Sequence, residues 1–214
     1  MEKLNSMLTT EVIDQIHQLG SRDNPILDSS HSSTIIGTCA GLKCPASILD
    51  SQQLVPLDYL GFDGLYHRGQ LVIHEALVWD VTKVFDLMLE LCFPIASLIP
   101  IGDPRFLVGD QPSDDLSMAL NNSSGFHYRY KTGQKKLSTH AKGLALDINP
   151  KLNPYIKGEV VLPENAQYSP EQEGSLHPQH EVVKEFKNLG WIWGGDWVSL
   201  KDFQHFEKSI FPIS

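Results

Sequence analysis

Two short segments carry residue types that can hold a metal ion. The first is Ser138-Thr139-His140-Ala141-Lys142-Gly143-Leu144-Ala145-Leu146-Asp147-Ile148-Asn149-Pro150, which sets a histidine and an aspartate at H-x6-D spacing around a glycine. The second, Asp202-Phe203-Gln204-His205-Phe206-Glu207, adds a histidine with an aspartate three residues before it. Imidazole nitrogen and carboxylate oxygen are both good zinc ligands. His140, Asp147 and His205 make three, which leaves a fourth position to water, as in a catalytic rather than a closed structural site. One Zn²⁺ balanced by one carboxylate keeps enough positive charge to acidify that water and to polarise a carbonyl. Asp202 could take the proton and pass it to a leaving amine.

For these groups to meet, the chain must break its regular periods. On a continuous strand the odd offset between His140 and Asp147 points them to opposite faces. A turn at Ala141–Gly143 removes the conflict, with His140 on the loop and Asp147 on the strand that follows. The offset of three between Asp202 and His205 likewise requires a bulge or a loop. His177 and His180 form a rival H-x-x-H pair, beside Pro178 at the start of an expected helix. His17, His31, His67, His74 and His127 have no ligand partner nearby in sequence.

The elements that would position these segments follow from periodicity and breakers. A helix is expected over Thr10–Leu19, with Val12, Ile13, Ile16 and Leu19 on one face and Gly20 as its stop. Residues 21–57 read as a long irregular surface segment and 56–69 as loop, followed by a short strand at Leu71-Val72-Ile73. The clearest helix is Glu75–Leu91, where Leu77, Val81, Val84, Phe85, Met88 and Leu91 form an apolar stripe. Strands are expected at Ile95–Ile101, Phe126–Tyr130, Leu144–Ile148 and Phe203–Phe206. Residues 109–125 read as a polar loop with a helical turn, and 153–174 as a surface flap. A second helix, Glu181–Leu189, ends at Gly190. Helices and strands mix without a βαβ rhythm, so the expected class is α+β.

The chain has 214 residues, 41% apolar and 20% charged, enough for one folded domain with a core. The net charge of −9, without a basic run, disfavours nucleic acid as partner. No run of about 18 apolar residues is present, so no transmembrane segment is expected. Met1–Ser6 lacks the pattern of an export signal. Three cysteines are too few for a disulfide scaffold. Cys39 and Cys44 can form one bridge, which would leave Cys92 as a buried thiol. No G-x-S-x-G elbow or recognisable cysteine nucleophile motif supports a serine or cysteine hydrolase.

The ordered motifs Ser138-x-His140-x-x-Gly143-x-Ala145-x-Asp147-Ile148-Asn149-Pro150, Gly190-Trp191-x-Trp193-Gly194-Gly195-Asp196-Trp197 and Asp202-x-x-His205-Phe206 resemble the VanY-type D-alanyl-D-alanine carboxypeptidase family. These are zinc metallopeptidases that cut peptidoglycan stem peptides. The resemblance extends over roughly Leu57 to Phe211. It implies one zinc ion on His140, Asp147 and His205, with Asp202 as general base. An upstream arginine would hold the oxyanion or the substrate carboxylate; Arg129 is the candidate, with Arg105 as the alternative. Ser138 would position the loop or bond substrate.

The implied fold is a compact single α+β domain with a small antiparallel sheet flanked by helices. The zinc would lie in a cleft on the sheet, with Trp191–Trp197 beside it. Residues 1–57 would be an N-terminal helix and irregular extension, and 58–214 the zinc peptidase domain. The implied activity is D-Ala-D-Ala carboxypeptidase-like. The alternatives are an L-Ala-D-Glu-type endopeptidase and a non-catalytic zinc-containing cell-wall-binding domain. The partner would be a peptidoglycan-derived peptide, met in the bacterial cell envelope or periplasm, and a monomer is the favoured state.

Overall fold

A computed structural model describes residues 18–41, 43–131 and 134–210. The helix expected at Thr10–Leu19 lies outside these except for its last two residues. The framework is a long antiparallel hairpin of β1 (Gln52–Leu60) and β2 (Tyr66–His74), in continuous register from Gln52↔His74 to Leu60↔Tyr66. Ile26–Leu27 adds in parallel to the other edge of β2.

Most of this hairpin was expected to be irregular chain. Pro56 and the glycines around it suggested loop, yet Val55, Leu57 and Tyr59 alternate inward at period two, the mark of a half-buried strand. Pro56 is tolerated because β1 is an edge strand. The boundary expected at residue 57 falls inside β1, and residues before it share in the core.

Strand β2 works on both faces. Leu71 and Ile73 join the main core, whereas Val72 packs with Ile35, Cys39, Ile101, Phe106 and Phe126 in a second cluster. On the main face lies helix α1 (Val78–Glu90), entered through a 3-10 turn at Glu75–Leu77. It buries Val81, Val84, Phe85 and Met88, while Leu91, the last residue of the expected stripe, is exposed.

α1 closes in a paired-bond cap: Cys92 N–H donates to the Leu89 carbonyl and Phe93 N–H to that of Met88. Cys92 sits there at φ 52°, a left-handed conformation that glycine adopts more cheaply. It is exposed, not buried as expected. Cys39 and Cys44 are both free thiols, and burial pushes the Cys39 thiol up to about 12.

The expected strand Ile95–Ile101 is reduced to Ser97–Leu98, paired in parallel with Asn122–Ser123. Helix α2 (Asp114–Ala119) stands where only a helical turn was expected, capped by the Ser113 hydroxyl accepting from Leu116 N–H. The rest of the chain builds two small sheets. In one, β3 (Ala145–Asp147) pairs with a late strand that also pairs with Ile192–Trp193. In the other, the hairpin of β4 (Tyr155–Lys157) and β5 (Val160–Leu162) pairs through β4 with β6 (Lys201–Asp202). Helix α3 (Glu181–Asn188) packs on α1, and Gly190 closes it at φ 85° with the same paired bonds as α1.

The molecule is thus a mixed helix-and-strand fold with several small sheets in place of the single one expected. Asn149 and Asn153 tie these parts together from within. The Asn149 side chain bonds Ala96 N–H and the carbonyls of Pro94 and Gly174. That of Asn153 accepts from Leu176 N–H and donates to Ile148 O and Gly174 O.

Candidate metal centre

The seven-residue offset between His140 and Asp147 is resolved by a 3-10 turn, His140–Lys142, closed by Gly143 at φ 65°. The framework hairpin grips this turn. His74 N–H donates to the Gly143 carbonyl (3.0 Å) and Gln52 Nε2 to that of Lys142 (3.2 Å). A side chain at 143 has no room, since a Cβ there would lie 1.9 Å from Gln52 Oε1 and 2.8 Å from His74 N. Behind the turn, β3 carries Asp147 inward. The strand β7 (His205–Glu207) pairs with it so that His205 lies directly opposite Asp147.

The three side chains converge. His140 Nε2 is 3.2 Å from His205 Nδ1 and 3.2 Å from Asp147 Oδ1, and His205 Nδ1 is 2.9 Å from Asp147 Oδ1. All three residues are buried. Tetrahedral zinc with bonds of about 2.0–2.1 Å sets neighbouring ligand atoms about 3.3 Å apart. The triangle therefore fits such an ion with little adjustment. Among the described residues this is the one group of His, Cys, Asp and Glu that could hold a metal ion.

Each ring nitrogen pointing away from the triangle meets an oxygen. His140 Nδ1 lies 2.7 Å from the Gly125 carbonyl, and His205 Nε2 3.2 Å from Glu207 Oε2. These contacts give the outer nitrogens acceptors for their N–H groups, so His140 Nε2 and His205 Nδ1 are the atoms that would turn electron pairs to an ion held between them and Asp147.

The electrostatics also favour a cation. Burial works against charge on His205, but the Asp147 and Glu207 carboxylates outweigh it and raise its pKa to about 10. Burial would raise Asp147 as well, yet His140 and His205 hold it well below the usual carboxylate range.

The group lines a cavity of about 830 Å³ with Asp202, Arg129, Ser138, His127 and Trp197. The offset between Asp202 and His205 is met by a change of sheet. Asp202 ends β6, Phe203-Gln204 crosses over, and His205 begins β7. Gly194 permits this crossing, because a Cβ there would lie 2.6 Å from the Asp202 carbonyl oxygen. Asp202 Oδ1 is buried without a hydrogen-bond partner, and burial pushes its carboxyl up to about 6.

Arg129 reaches the cavity because residues 126–130 run against 137–140: Ser138 N–H bonds the Arg129 carbonyl and His127 N–H that of His140. Its guanidinium pairs with Asp114 on α2, while its Nε is buried without a partner. Arg105 lies elsewhere, bound to Asp103 and to the Asp28 carbonyl. The Ser138 hydroxyl accepts from His140 N–H (3.3 Å). His180 caps α3 by accepting from Val182 N–H and packs edge-on against His177. Trp191 and Trp193 are core residues, and of that aromatic run Trp197 faces His205.

Asp114, His127 and Glu207 enter the site without having been expected there. For Glu207 a signal existed, since an alternate position on a strand shares the face of His205. For Asp114 and His127 none did, because only the tertiary fold brings α2 to the cavity.

Residues 132–208 match the D-alanyl-D-alanine carboxypeptidase family model. The matched stretch includes His140, Asp147, Asp202 and His205, and begins just after Arg129. No curated protein and no solved structure matches the chain. The C-terminal part is thus similar to a family named for D-alanyl-D-alanine carboxypeptidase, and the match together with the buried triangle supports a metallopeptidase.

Proposed function

We propose that the chain is a zinc-dependent peptidase that hydrolyses an amide bond in bacterial peptidoglycan stem peptides, in the manner of a D-Ala-D-Ala carboxypeptidase. The observation that carries this is the placement of the His140–Asp147–His205 triangle in one cavity with the unpartnered Asp202 Oδ1. His140, Asp147 and His205 would hold Zn²⁺, which when bound would supply Lewis-acid polarisation of the scissile carbonyl and an acidified water. Asp202 accepts the proton of the attacking water and returns it to the leaving nitrogen. A carboxyl pushed up to about 6 is suited to both transfers near neutral pH. Arg129, which lines the same cavity, donates to the oxyanion from its guanidinium.

One observation supports the L-Ala-D-Glu-type endopeptidase as a second reading. Asp114 already neutralises the Arg129 guanidinium, which leaves less charge to grip a terminal carboxylate. Mass spectrometry of a muropeptide ending in D-Ala-D-Ala, incubated with protein with and without chelator, tests the proposal. Chelator-sensitive loss of one D-alanine is the expected result. Cleavage between L-Ala and D-Glu would establish the endopeptidase instead. Binding without product at any metal loading would leave a wall-binding domain and overturn hydrolysis.

A further inference from the structure

Glu207 stands at the junction of the two segments that bring the ligand histidines together. Its Oε2 accepts from the Thr139 hydroxyl at 2.7 Å and lies 3.2 Å from His205 Nε2. Thr139 precedes His140, so one carboxylate oxygen joins the turn that carries one ligand to the strand that carries another. We infer that Glu207 is a positioning residue for the metal: it turns the His205 ring so that Nε2 meets its carboxylate and Nδ1 faces the place of the ion, and through Thr139 it holds the two histidines at ligand separation before the ion arrives. The inference rests on the metal reading of the triangle.

The two histidines are not equivalent in this arrangement. His140 leans on a neutral carbonyl, that of Gly125, whereas His205 leans on a carboxylate. A charged acceptor makes an imidazole a stronger donor to the metal than a carbonyl does. The orientation of the His140 ring is set independently by Gly125. Loss of Glu207 should therefore act on His205 and on the tie to Thr139, and leave the His140 ring in place.

The test uses the full chain and Zn²⁺ alone, with affinity measured by competition against a chromophoric chelator. Glu207→Gln keeps the size and removes the charge, and Glu207→Leu removes the acceptor as well. Zinc affinity should fall about 10- to 100-fold, more for Leu than for Gln. Thr139→Val should weaken binding less, and should add nothing to Glu207→Leu, because it acts through the same carboxylate. The visible absorption of the Co²⁺-loaded Glu207→Gln protein should shift from that of wild type, a readout that general loosening of the fold would not move. Should Glu207→Leu fail to fold, Glu207→Gln carries the test. Wild-type affinity in the Glu207 variants with an unchanged cobalt spectrum would overturn the role of Glu207. Failure of the wild type to bind one zinc ion would overturn the metal reading beneath it.

Discussion

Asp202 differs from Asp147 and Asp114 of the same cavity in having no ion pair and no donor on Oδ1. Asp147 faces two imidazoles and Asp114 faces Arg129, so both are held ionised. A carboxyl whose Oδ1 is buried without a donor is the one whose proton is easily moved. Replacing it should remove turnover without removing metal: Asp202→Ala should bind one zinc ion as wild type does and lose about 10²- to 10⁴-fold in kcat. The pH profile follows with a definite sign. In the proposed role Asp202 can take a proton only when ionised, so kcat/KM should rise with pH through its pKa, which burial sets at about 6. A cation on the neighbouring ligands favours the ionised form, so the limb of the loaded enzyme lies at or below that value. Zinc content and the acid limb of the profile check both statements; an Asp202→Ala protein with wild-type turnover refutes them.

At the scale of elements, the site depends on a turn that the hairpin clasps. Gly143 combines a left-handed φ with contacts that leave no room for a Cβ. Gly143→Ala should cost about 2–3 kcal/mol by denaturant unfolding, and should also weaken zinc binding, because the turn cannot shift without carrying His140. Trimming Gln52 to alanine in the same chain should recover only part of the loss, since the His74 backbone still stands 2.8 Å from the new Cβ. Zinc affinity unchanged in Gly143→Ala would show that the clasp does not position the ligand.

The same contrast explains what could be read in the sequence. His140, Gly143 and Asp147 are local, and the need for a turn between the ligands follows from the period of a strand. The helix stripe of Val81, Val84, Phe85 and Met88 and the cap at Gly190 are equally local signals. The clasp is not local. β1 and β2 were obscured by Pro56 and by glycines that serve close contacts, such as Gly69, where a Cβ would meet the Leu98 carbonyl oxygen at 2.2 Å. That Gln52 and His74 end their strands beside residue 143 is a fact of tertiary register, and no spacing announces it.

For the whole molecule, the question is what joins the hairpin-and-helix half to the sheet that bears the ligands. Asp80 supplies one answer. It lies on the buried side of α1 and accepts from Trp191 Nε1 and from Lys208 Nζ, each at 2.7 Å. Trp191 precedes one strand of the ligand sheet and Lys208 follows another, β7, so a single carboxylate latches the helix to both. Asp80→Ala would leave the buried indole N–H without an acceptor and Lys208 without its counter-ion, at a cost of about 2–4 kcal/mol. Asp80→Asn should lose less, because an amide oxygen can still accept from Trp191. Neither change touches the triangle, so the folded protein should hold zinc with wild-type affinity. Binding is linked to folding, and zinc at about 100 times its Kd should return about 2.7 kcal/mol of stability to wild type and Asp80→Ala alike. Equal zinc-induced shifts in the two proteins are the expected outcome. A smaller shift in Asp80→Ala would mean that the latch also sets the ligand geometry, and that the core and the site form one cooperative unit.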